Sequence, residues 1–268
     1  TRGSVCMSRQ LPPLDLHAHV DPRARAAELE RLGAVVFAAT RSLDEYESAR
    51  SRRDQVTVWG LGCHPGMADA QHSFNAARFA GFVASAAYVS EVGLDGRSKV
   101  SPEHQERVFD SILEVLGSTP RIVSIHSSGA PGRVLDALER RPTRGAVLHW
   151  WRGDAAQTRR AVELGCRFSI NAAGTKYAEN IAEIPIERIF TETDHPSGDR
   201  RSPAPRQPGA VADVEETLAQ IYGIDRQTFR RLVWANFATL VDDVKVDALL
   251  PTAVRRMTAF ARTPPEDR

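Results

Sequence analysis

The sequence has little cysteine, and this scarcity excludes two classes of protein. Only three cysteines occur among the 268 residues, Cys6, Cys63 and Cys166, and no two of them form a Cys-x-x-Cys pair. An odd and widely spaced set argues against a disulfide framework and against a thiolate zinc site. We therefore expect the protein to work in a reducing cytoplasm.

Long apolar runs are missing as well, and neither sign of charge dominates. No apolar segment reaches the roughly 18 residues of a membrane span, so no membrane partner is predicted. The first residues also lack the apolar centre of a secretory signal. Lys and Arg total 35 against 34 Asp and Glu, a formal charge of +1. This balance leaves open whether the partner is a nucleic acid.

Short β-branched runs alternate with amphipathic, charge-rich segments along the chain, as in successive βα units around a parallel sheet. The predicted strands cover 13–18, 33–39, 56–62, 87–92, 121–126, 145–149, 166–171 and 188–193. The predicted helices cover 24–32, 43–53, 75–86, 102–116, 132–140, 155–164, 176–184, 211–222, 225–241 and 247–261.

Eight strands at this spacing favour a (β/α)8 TIM barrel of the metal-dependent hydrolase type. An open doubly wound sheet would alternate in the same way, but it would not gather strands one, four, five, six and eight around one centre as naturally. We predict a single domain over 13–268 whose last helices close the barrel. Residues 1–12 are predicted to be an N-terminal extension, and 1–6 are either an expression remnant or upstream sequence.

Histidines and carboxylates stand where several predicted strands end. His17 and His19 lie two residues apart, so their side chains share one face of a strand and could hold one metal ion. Active sites of TIM barrels form at the carboxyl ends of the strands, which would bring later residues to the same centre. The six candidate ligands are His17, His19, Glu91, His126, His149 and Asp194. Together they predict a two-metal hydrolase.

Motifs in this order and spacing resemble the TatD family of metal-dependent deoxyribonucleases. The matches run from His17 to about Leu240. They are Asp15-x-His17-x-His19, Gly62-Cys63-His64-Pro65, Glu91-Val92-Gly93-Leu94-Asp95, Ile125-His126-Ser127, His149 followed by Gly153, Glu192-Thr193-Asp194 and Asn236-Phe237-x-x-Leu240. Several phrases, among them Leu148-His149-Trp150, look most similar to the TatD-like nuclease of the Qat anti-phage defence system.

The resemblance implies a barrel that holds two divalent ions. One ion would be held by His17, His19, Glu91 and Asp194, and the other by Glu91, His126 and His149, so that Glu91 bridges them. This chain departs from the family pattern at three places. Ser128 stands where the family usually has Arg, Trp150-Trp151-Arg152 replaces its usual Cys-Phe-Ser, and His195 follows Asp194. The predicted metal cage is complete, whereas the substrate pocket differs.

Imidazole and carboxylate ligands without thiolate suit Zn²⁺, Mn²⁺, Co²⁺ or Mg²⁺. Catalysis is assigned to three residues: Glu91 as the bridge, Asp194 as ligand and general base, and His64 as a contact to the substrate phosphate or scissile oxygen. A turn role before Pro65 is the alternative for His64. Glu192 shares a face with Asp194 one layer deeper, and we expect it to orient a ligand.

Two substrate contacts are predicted beyond the cage. Strand alternation sends Trp150 toward the helical layer and returns Trp151 to the barrel mouth, so Trp151 is the candidate for stacking on a base. Arg152 is a candidate phosphate contact. We expect a deoxyribonuclease that acts on single-stranded DNA or DNA ends, with a role and protein partners in anti-phage defence. The alternatives are hydrolysis of an amide, lactone or other phosphoester, and a non-catalytic, metal-containing subunit of a defence complex.

Overall fold

The computed structural model describes residues 10–199 and 204–263. Eight parallel strands follow one another around the sheet in chain order. They are β1 (Leu14–Ala18), β2 (Val35–Ala39), β3 (Thr57–Leu61), β4 (Tyr88–Gly93), β5 (Ile122–His126), β6 (Ala146–His149), β7 (Arg167–Ile170) and β8 (Ile189–Thr191). Each predicted strand is found within a few residues of its expected bounds. The predicted TIM barrel is confirmed.

Helices follow the strands and form the outer layer. They are α1 (Ala26–Glu30), α2 (Leu43–Ala49), α3 (Ala68–His72), α4 (Ala76–Val83), α5 (Pro102–Ser118), α6 (Pro131–Arg140), α7 (Ala155–Glu163), α8 (Ala178–Ala182), α9 (Ala212–Ile221), α10 (Arg226–Val244) and α11 (Thr252–Ala261). Only α3 was not predicted. It has five residues, and its N-cap Met67 supplies no capping side chain, so no sequence signal marks it.

Local sequence explains where two of the longer helices begin. The Ser101 hydroxyl accepts a hydrogen bond from the backbone of His104, and Pro102 occupies the first turn of α5. Asp154 and Gln157 form a reciprocal capping box at the start of α7. These helices bury apolar faces against strands whose side chains are almost all inaccessible to solvent. The core therefore fills both the barrel and the space beneath the helices.

Side chains and loops complete the contact between β1 and β8. The backbone N–H of Asp194 donates to the carbonyl of His17 at 2.8 Å, and the N–H of His19 donates to the carbonyl of His195 at 2.8 Å. The buried Asp15 carboxylate accepts from the Thr193 backbone at 2.9 Å, the Thr193 hydroxyl at 2.6 Å and the Gly209 backbone at 2.7 Å. These bonds hold the ends of β1 and β8 together beside the candidate ligands.

Helix α10 covers the opposite end of the barrel, where the strands begin. Trp234 donates to the Pro12 carbonyl at 2.7 Å, and Asn236 donates to the carbonyls of Ile186 and Ile189 at 2.7 and 3.1 Å. The Phe237 ring lies 5.4 Å from that of Phe37. Helix α10 thus covers this end, which leaves the other end of the barrel for the site.

No helix within residues 10–199 or 204–263 is both long and apolar enough to cross a membrane. Residues 1–9 of the predicted extension, including Cys6, lie outside the described residues. Cys63 and Cys166 are buried free thiols. The prediction of a cytoplasmic location remains a prediction.

Candidate metal centre

The Glu91 carboxylate lies at the centre of the candidate site, between two groups of imidazoles. Its Oε1 lies 2.8 Å from His149 Nε2 and within hydrogen-bond distance of His126 Nδ1. Its Oε2 lies 3.2 Å from His19 Nε2 and 3.7 Å from His17 Nε2. The two oxygens of one carboxylate therefore face the two ligand groups that the sequence predicts.

Asp194 joins one of these groups from the end of β8. Its Oδ1 lies 3.9 Å from His17 Nε2 and 3.8 Å from His19 Nε2. The residue has a φ of 46°, in the left-handed region that non-glycine residues rarely occupy. Its backbone hydrogen bond to His17 holds this conformation. All six predicted ligands thus converge at one end of the barrel.

Several ligating atoms in this cluster are buried but make no hydrogen bond to the described residues. They include His17 Nε2 and Glu91 Oε2. Burying unpaired polar atoms costs free energy, and such atoms commonly mark a site for an ion. Three sets bring one ligand atom from each member within 4.8 Å of the others: His17, His149 and Glu192; His17, His19 and Asp194; and His64, Glu91 and His126. The cluster has the donor set of a nitrogen and oxygen metal site.

Hydrogen bonds on the far side of the rings set their orientation. The Nδ1 atom of His19 lies 3.0 Å from the carbonyl oxygen of Ala39. Because a carbonyl only accepts, that nitrogen carries hydrogen and Nε2 keeps its lone pair for the site. His17 Nδ1 lies 2.7 Å from the Ser124 hydroxyl, and His126 Nε2 lies 3.3 Å from Asp95 Oδ2. The imidazoles are held in place before any ion binds.

Burial and mutual charge shift the pKa values of the cluster. For Glu91, burial alone would raise the pKa, but the imidazoles of His64, His149 and His126 outweigh it and hold the pKa well below the usual range. Burial opposes the charged form of His126, yet the Glu91 carboxylate, together with a hydrogen bond to Asp95, raises its pKa to about 9. Burial raises the pKa of Asp194 to about 7. The charge on His149 lowers this pKa, whereas the carboxylates of Glu91 and Glu192 raise it further.

His64 differs from the candidate ligands in which of its ring nitrogens carries hydrogen. Its Nδ1 accepts a hydrogen bond from the backbone N–H of Gly66 at 2.8 Å. Burial lowers the pKa of His64 to about 4, so the ring is neutral at pH 7 and carries its hydrogen on Nε2. That Nε2 lies 3.3 Å from Glu91 Oε2. His64 therefore presents a hydrogen-bond donor, and not a lone pair, to the centre.

Glu192 lies beneath the centre and is inaccessible to solvent. Its Oε1 accepts from the Trp150 backbone at 2.9 Å and from the Asn171 amide at 3.2 Å, and lies 3.6 Å from His149 Nδ1. Its Oε2 accepts from the Ser169 hydroxyl. This one buried carboxylate thus contacts the candidate ligand His149 and the backbone of the next residue, Trp150. It also accepts hydrogen bonds from Ser169 in β7 and from Asn171 in the loop after β7.

The two tryptophans after β6 have the reverse of their predicted orientations. Trp151 is buried, packs against Phe168 and donates to the Thr158 hydroxyl at 2.8 Å, so the prediction that it stacks on a base at the barrel mouth is wrong. Trp150 is half-buried and lines the cleft. Its φ of 42° explains the error, because a left-handed residue breaks the alternation of a strand.

A cleft of about 290 Å³ opens above the centre. Arg152 lines it and donates to the Tyr177 hydroxyl at 3.0 Å, and its contact to a substrate phosphate stays a prediction. Arg97 also lines it, and within the described part of the chain neither arginine forms an ion pair. Trp150 was not among the predicted site residues. Trp150 directly follows a candidate ligand, but its backbone conformation gives no signal in the sequence.

Fold and side chains together define a TIM-barrel hydrolase with a candidate metal centre at the carboxyl ends of its strands. The sequence profile of the TatD related DNase family matches residues 14–242, and the chain belongs to this family. It is 27% identical over 248 residues to the 3'-5' ssDNA/RNA exonuclease TatD of Klebsiella pneumoniae strain 342, a match that covers 84% of this chain and 91% of that protein.

Two further relatives agree with this assignment. YcfH, a metal-dependent hydrolase of Escherichia coli strain K12, is 26% identical over 203 residues, which cover 70% of this chain and 74% of YcfH. The crystal structure of YjjV, a TatD homologue from Escherichia coli K12, superposes with a TM-score of 0.76 at 21% identity and covers 85% of this chain and 96% of YjjV. The latter likeness concerns the fold.

Proposed function

We propose that this protein is a metal-dependent deoxyribonuclease that hydrolyses phosphodiester bonds in single-stranded DNA or at DNA ends. The observation that carries the proposal is the position of Glu91, whose two carboxylate oxygens face two separate groups of imidazoles. Such a shared carboxylate is the arrangement expected between two metal ions. The Klebsiella relative is a 3'-5' ssDNA/RNA exonuclease by name, which supports an unpaired substrate.

The residues present fit two divalent ions, because nitrogen and oxygen donor atoms converge at one place, and two of them, His17 Nε2 and Glu91 Oε2, are buried without a hydrogen bond to the described residues. We assign one ion to His17, His19, Glu91 and Asp194, and the other to Glu91, His126 and His149. Zn²⁺, Mn²⁺, Co²⁺ and Mg²⁺ all suit these donors. When bound, such ions supply Lewis-acid polarisation of the phosphate and neutralise its charge.

The chain's own side chains perform the remaining steps. Hydrolysis forms a bond from phosphorus to the water oxygen and breaks the bond from phosphorus to the leaving sugar oxygen. We assign Asp194 as the general base that takes the water's proton, since its carboxylate ends at the centre beside His17 and His19. His64 donates from Nε2 to a phosphate oxygen or to the leaving oxygen. Arg152 contacts a phosphate from the cleft wall, and Glu192 positions His149.

The test is cleavage of end-labelled single-stranded and duplex DNA by metal-stripped protein that is resupplied separately with Mg²⁺, Mn²⁺, Zn²⁺ and Co²⁺. We expect cleavage only with a metal ion and loss of cleavage in Asp194→Asn. Asp242→Asn is the matched control, because Asp242 is exposed and pairs with Arg262 on the surface. Metal-loaded wild type that never cleaves DNA would refute the proposal and point to another bond or to a non-catalytic subunit.

We also propose that the nuclease acts in anti-phage defence with protein partners. The support is the resemblance of its motifs to the TatD-like nuclease of the Qat system. The test is phage plating on bacteria that express the chain with its neighbouring genes, beside the same set carrying Asp194→Asn. Equal plating on cells with and without the wild-type set would contradict the defence role while leaving the nuclease assignment untouched.

A further inference from the structure

The cleft above the centre is lined by polar and charged side chains with one exception. The lining consists of imidazoles, carboxylates, serine hydroxyls, the guanidinium groups of Arg97 and Arg152, and the indole of Trp150. Trp150 is the single large apolar side chain among them. Among the described residues that line the cleft, no other large apolar side chain covers this half-buried indole.

The backbone around Trp150 is built to bring this side chain to the cleft. The residue follows His149 directly, and regular strand geometry would send its side chain into the helical layer. Its left-handed φ of 42° breaks that geometry. The hydrogen bond from its backbone to the fully buried Glu192, at 2.9 Å, helps to hold the conformation. Trp151, one residue later, takes the place in the core instead.

Two guanidinium groups line the same cleft as the indole. Arg152 lines the cleft two residues further along the chain and is held by the hydroxyl of Tyr177 at 3.0 Å. Arg97 lines the cleft from the loop after β4. A flat apolar surface with nearby guanidinium groups matches a ligand that joins an aromatic ring to a phosphate. A nucleotide with an unpaired base has this composition, whereas a base within a duplex keeps its faces stacked on its neighbours.

We infer that Trp150 is a specificity-determining residue that stacks on an unpaired nucleobase adjacent to the scissile phosphate. This inference rests on the proposed nuclease function and deepens it, because it gives a physical reason for selecting unpaired DNA. The requirement comes from the indole face and is independent of the ions, so it holds for binding as well as for turnover. Removing either the indole or the base removes the same interaction.

Binding is measured first, with metal-stripped protein in chelator and a short single-stranded oligothymidylate. Trp59, Trp151 and Trp234 are buried, so quenching of tryptophan fluorescence by DNA reports chiefly on Trp150. We expect Trp150→Ala to weaken binding by about 5- to 150-fold, which is the usual contribution of one stacked base. Trp150→Phe retains most of the affinity, and Trp150→Leu, apolar but not flat, behaves like the alanine variant.

A matched substrate provides the second arm, an oligonucleotide with one abasic site at the nucleotide next to the cleaved bond. We expect the abasic site to weaken binding by the wild type by the same factor as the Trp150→Ala substitution weakens binding of the intact oligonucleotide. The variant itself should not distinguish the two substrates. Circular dichroism and thermal melting of each variant verify the fold, and the leucine variant, which is also expected to lose stacking, replaces the alanine variant if that one is unfolded.

The outcomes separate the inference from the function on which it rests. If wild type cleaves DNA but Trp150→Ala binds and cleaves it equally well, or if the abasic site has no effect on wild type, the stacking role is wrong and the nuclease assignment stands. If wild type neither binds nor cleaves DNA, both are wrong. In cleavage assays stacking predicts a rise in KM larger than the fall in kcat, because the interaction is already present in the bound substrate.

Discussion

The Ser124 hydroxyl lies 2.7 Å from Nδ1 of His17, so that β5 supports a candidate ligand carried by β1 across the barrel. Both residues are inaccessible or nearly so. Removing a hydrogen bond to the far nitrogen of a ligating imidazole typically costs 10- to 100-fold in metal affinity. The hydroxyls of Tyr88 and Ser90, each 3.4 Å from the same nitrogen, partly replace it.

We therefore expect Ser124→Ala to fold and to bind metal about tenfold more weakly than wild type. Competition with a chromophoric chelator measures the change. Ser118→Ala is the matched control, because that hydroxyl is exposed and bonds only to a carbonyl at the end of α5. Equal affinities in wild type and Ser124→Ala would show that Ser124 does not position His17.

His64 is expected to affect turnover and not metal content. Its Nδ1 accepts from Gly66, which leaves Nε2 as a donor toward the centre. In His64→Leu, loss of this donor should lower kcat by about 100-fold, the usual effect of removing one hydrogen bond that stabilises a transition state. Metal stoichiometry, measured by elemental analysis after dialysis, should match wild type. A variant that has lost an ion would identify His64 as a ligand.

Glu192 is expected to contribute to both stability and metal binding. Glu192→Ala leaves the Trp150 backbone, the Asn171 amide and the Ser169 hydroxyl without their acceptor in a buried place. The free energy of unfolding should fall by about 3 kcal/mol or more, because each unsatisfied buried donor costs about 1–3 kcal/mol.

Urea denaturation of metal-free protein measures this loss. Glu192→Gln keeps an acceptor oxygen at the same reach, so it should recover most of the stability. The glutamine variant should still bind metal more weakly, because a neutral amide raises the basicity of the ligating His149 imidazole less than a carboxylate does. Identical stability of the alanine variant and wild type would contradict the structural role of this carboxylate.

Metal binding should release protons at neutral pH. Burial disfavours the charged form of His126, but the adjacent Glu91 carboxylate raises its pKa to about 9 in the metal-free protein, and the pKa of His149 is also raised by Glu91 and Glu192. Both imidazoles are therefore protonated at pH 7 and must lose that proton to ligate an ion. The apparent affinity should rise as the pH increases toward about 9.

Calorimetric titration in two buffers with different enthalpies of ionisation counts the protons released. We expect at least one proton per protein at pH 7, and fewer at pH 9. Matching enthalpies in the two buffers would mean that these imidazoles are already neutral, or that they do not bind the ion.

The sequence predicted the barrel because each strand and most helices follow local patterns. Buried strands such as Ile122–His126 are short β-branched runs, and α5 and α7 begin at recognisable caps. Two-residue alternation and the rule that barrel sites form at strand ends also identified the six side chains that converge. Helix α3 was not predicted because its five residues carry no such signal.

The sequence by itself determined the order of the strands, the end of the barrel that carries the site and the residues that meet there, since these depend on local periodicity and connectivity. Tertiary structure alone decided the finer chemistry. The hydrogen bond from Gly66 sets the tautomer of His64. The left-handed backbone of Trp150, which is hydrogen-bonded to Glu192, places Trp150 at the cleft and Trp151 in the core, the reverse of the predicted arrangement. The conformation of Trp150 depends on a contact between residues 42 positions apart, which no local pattern records.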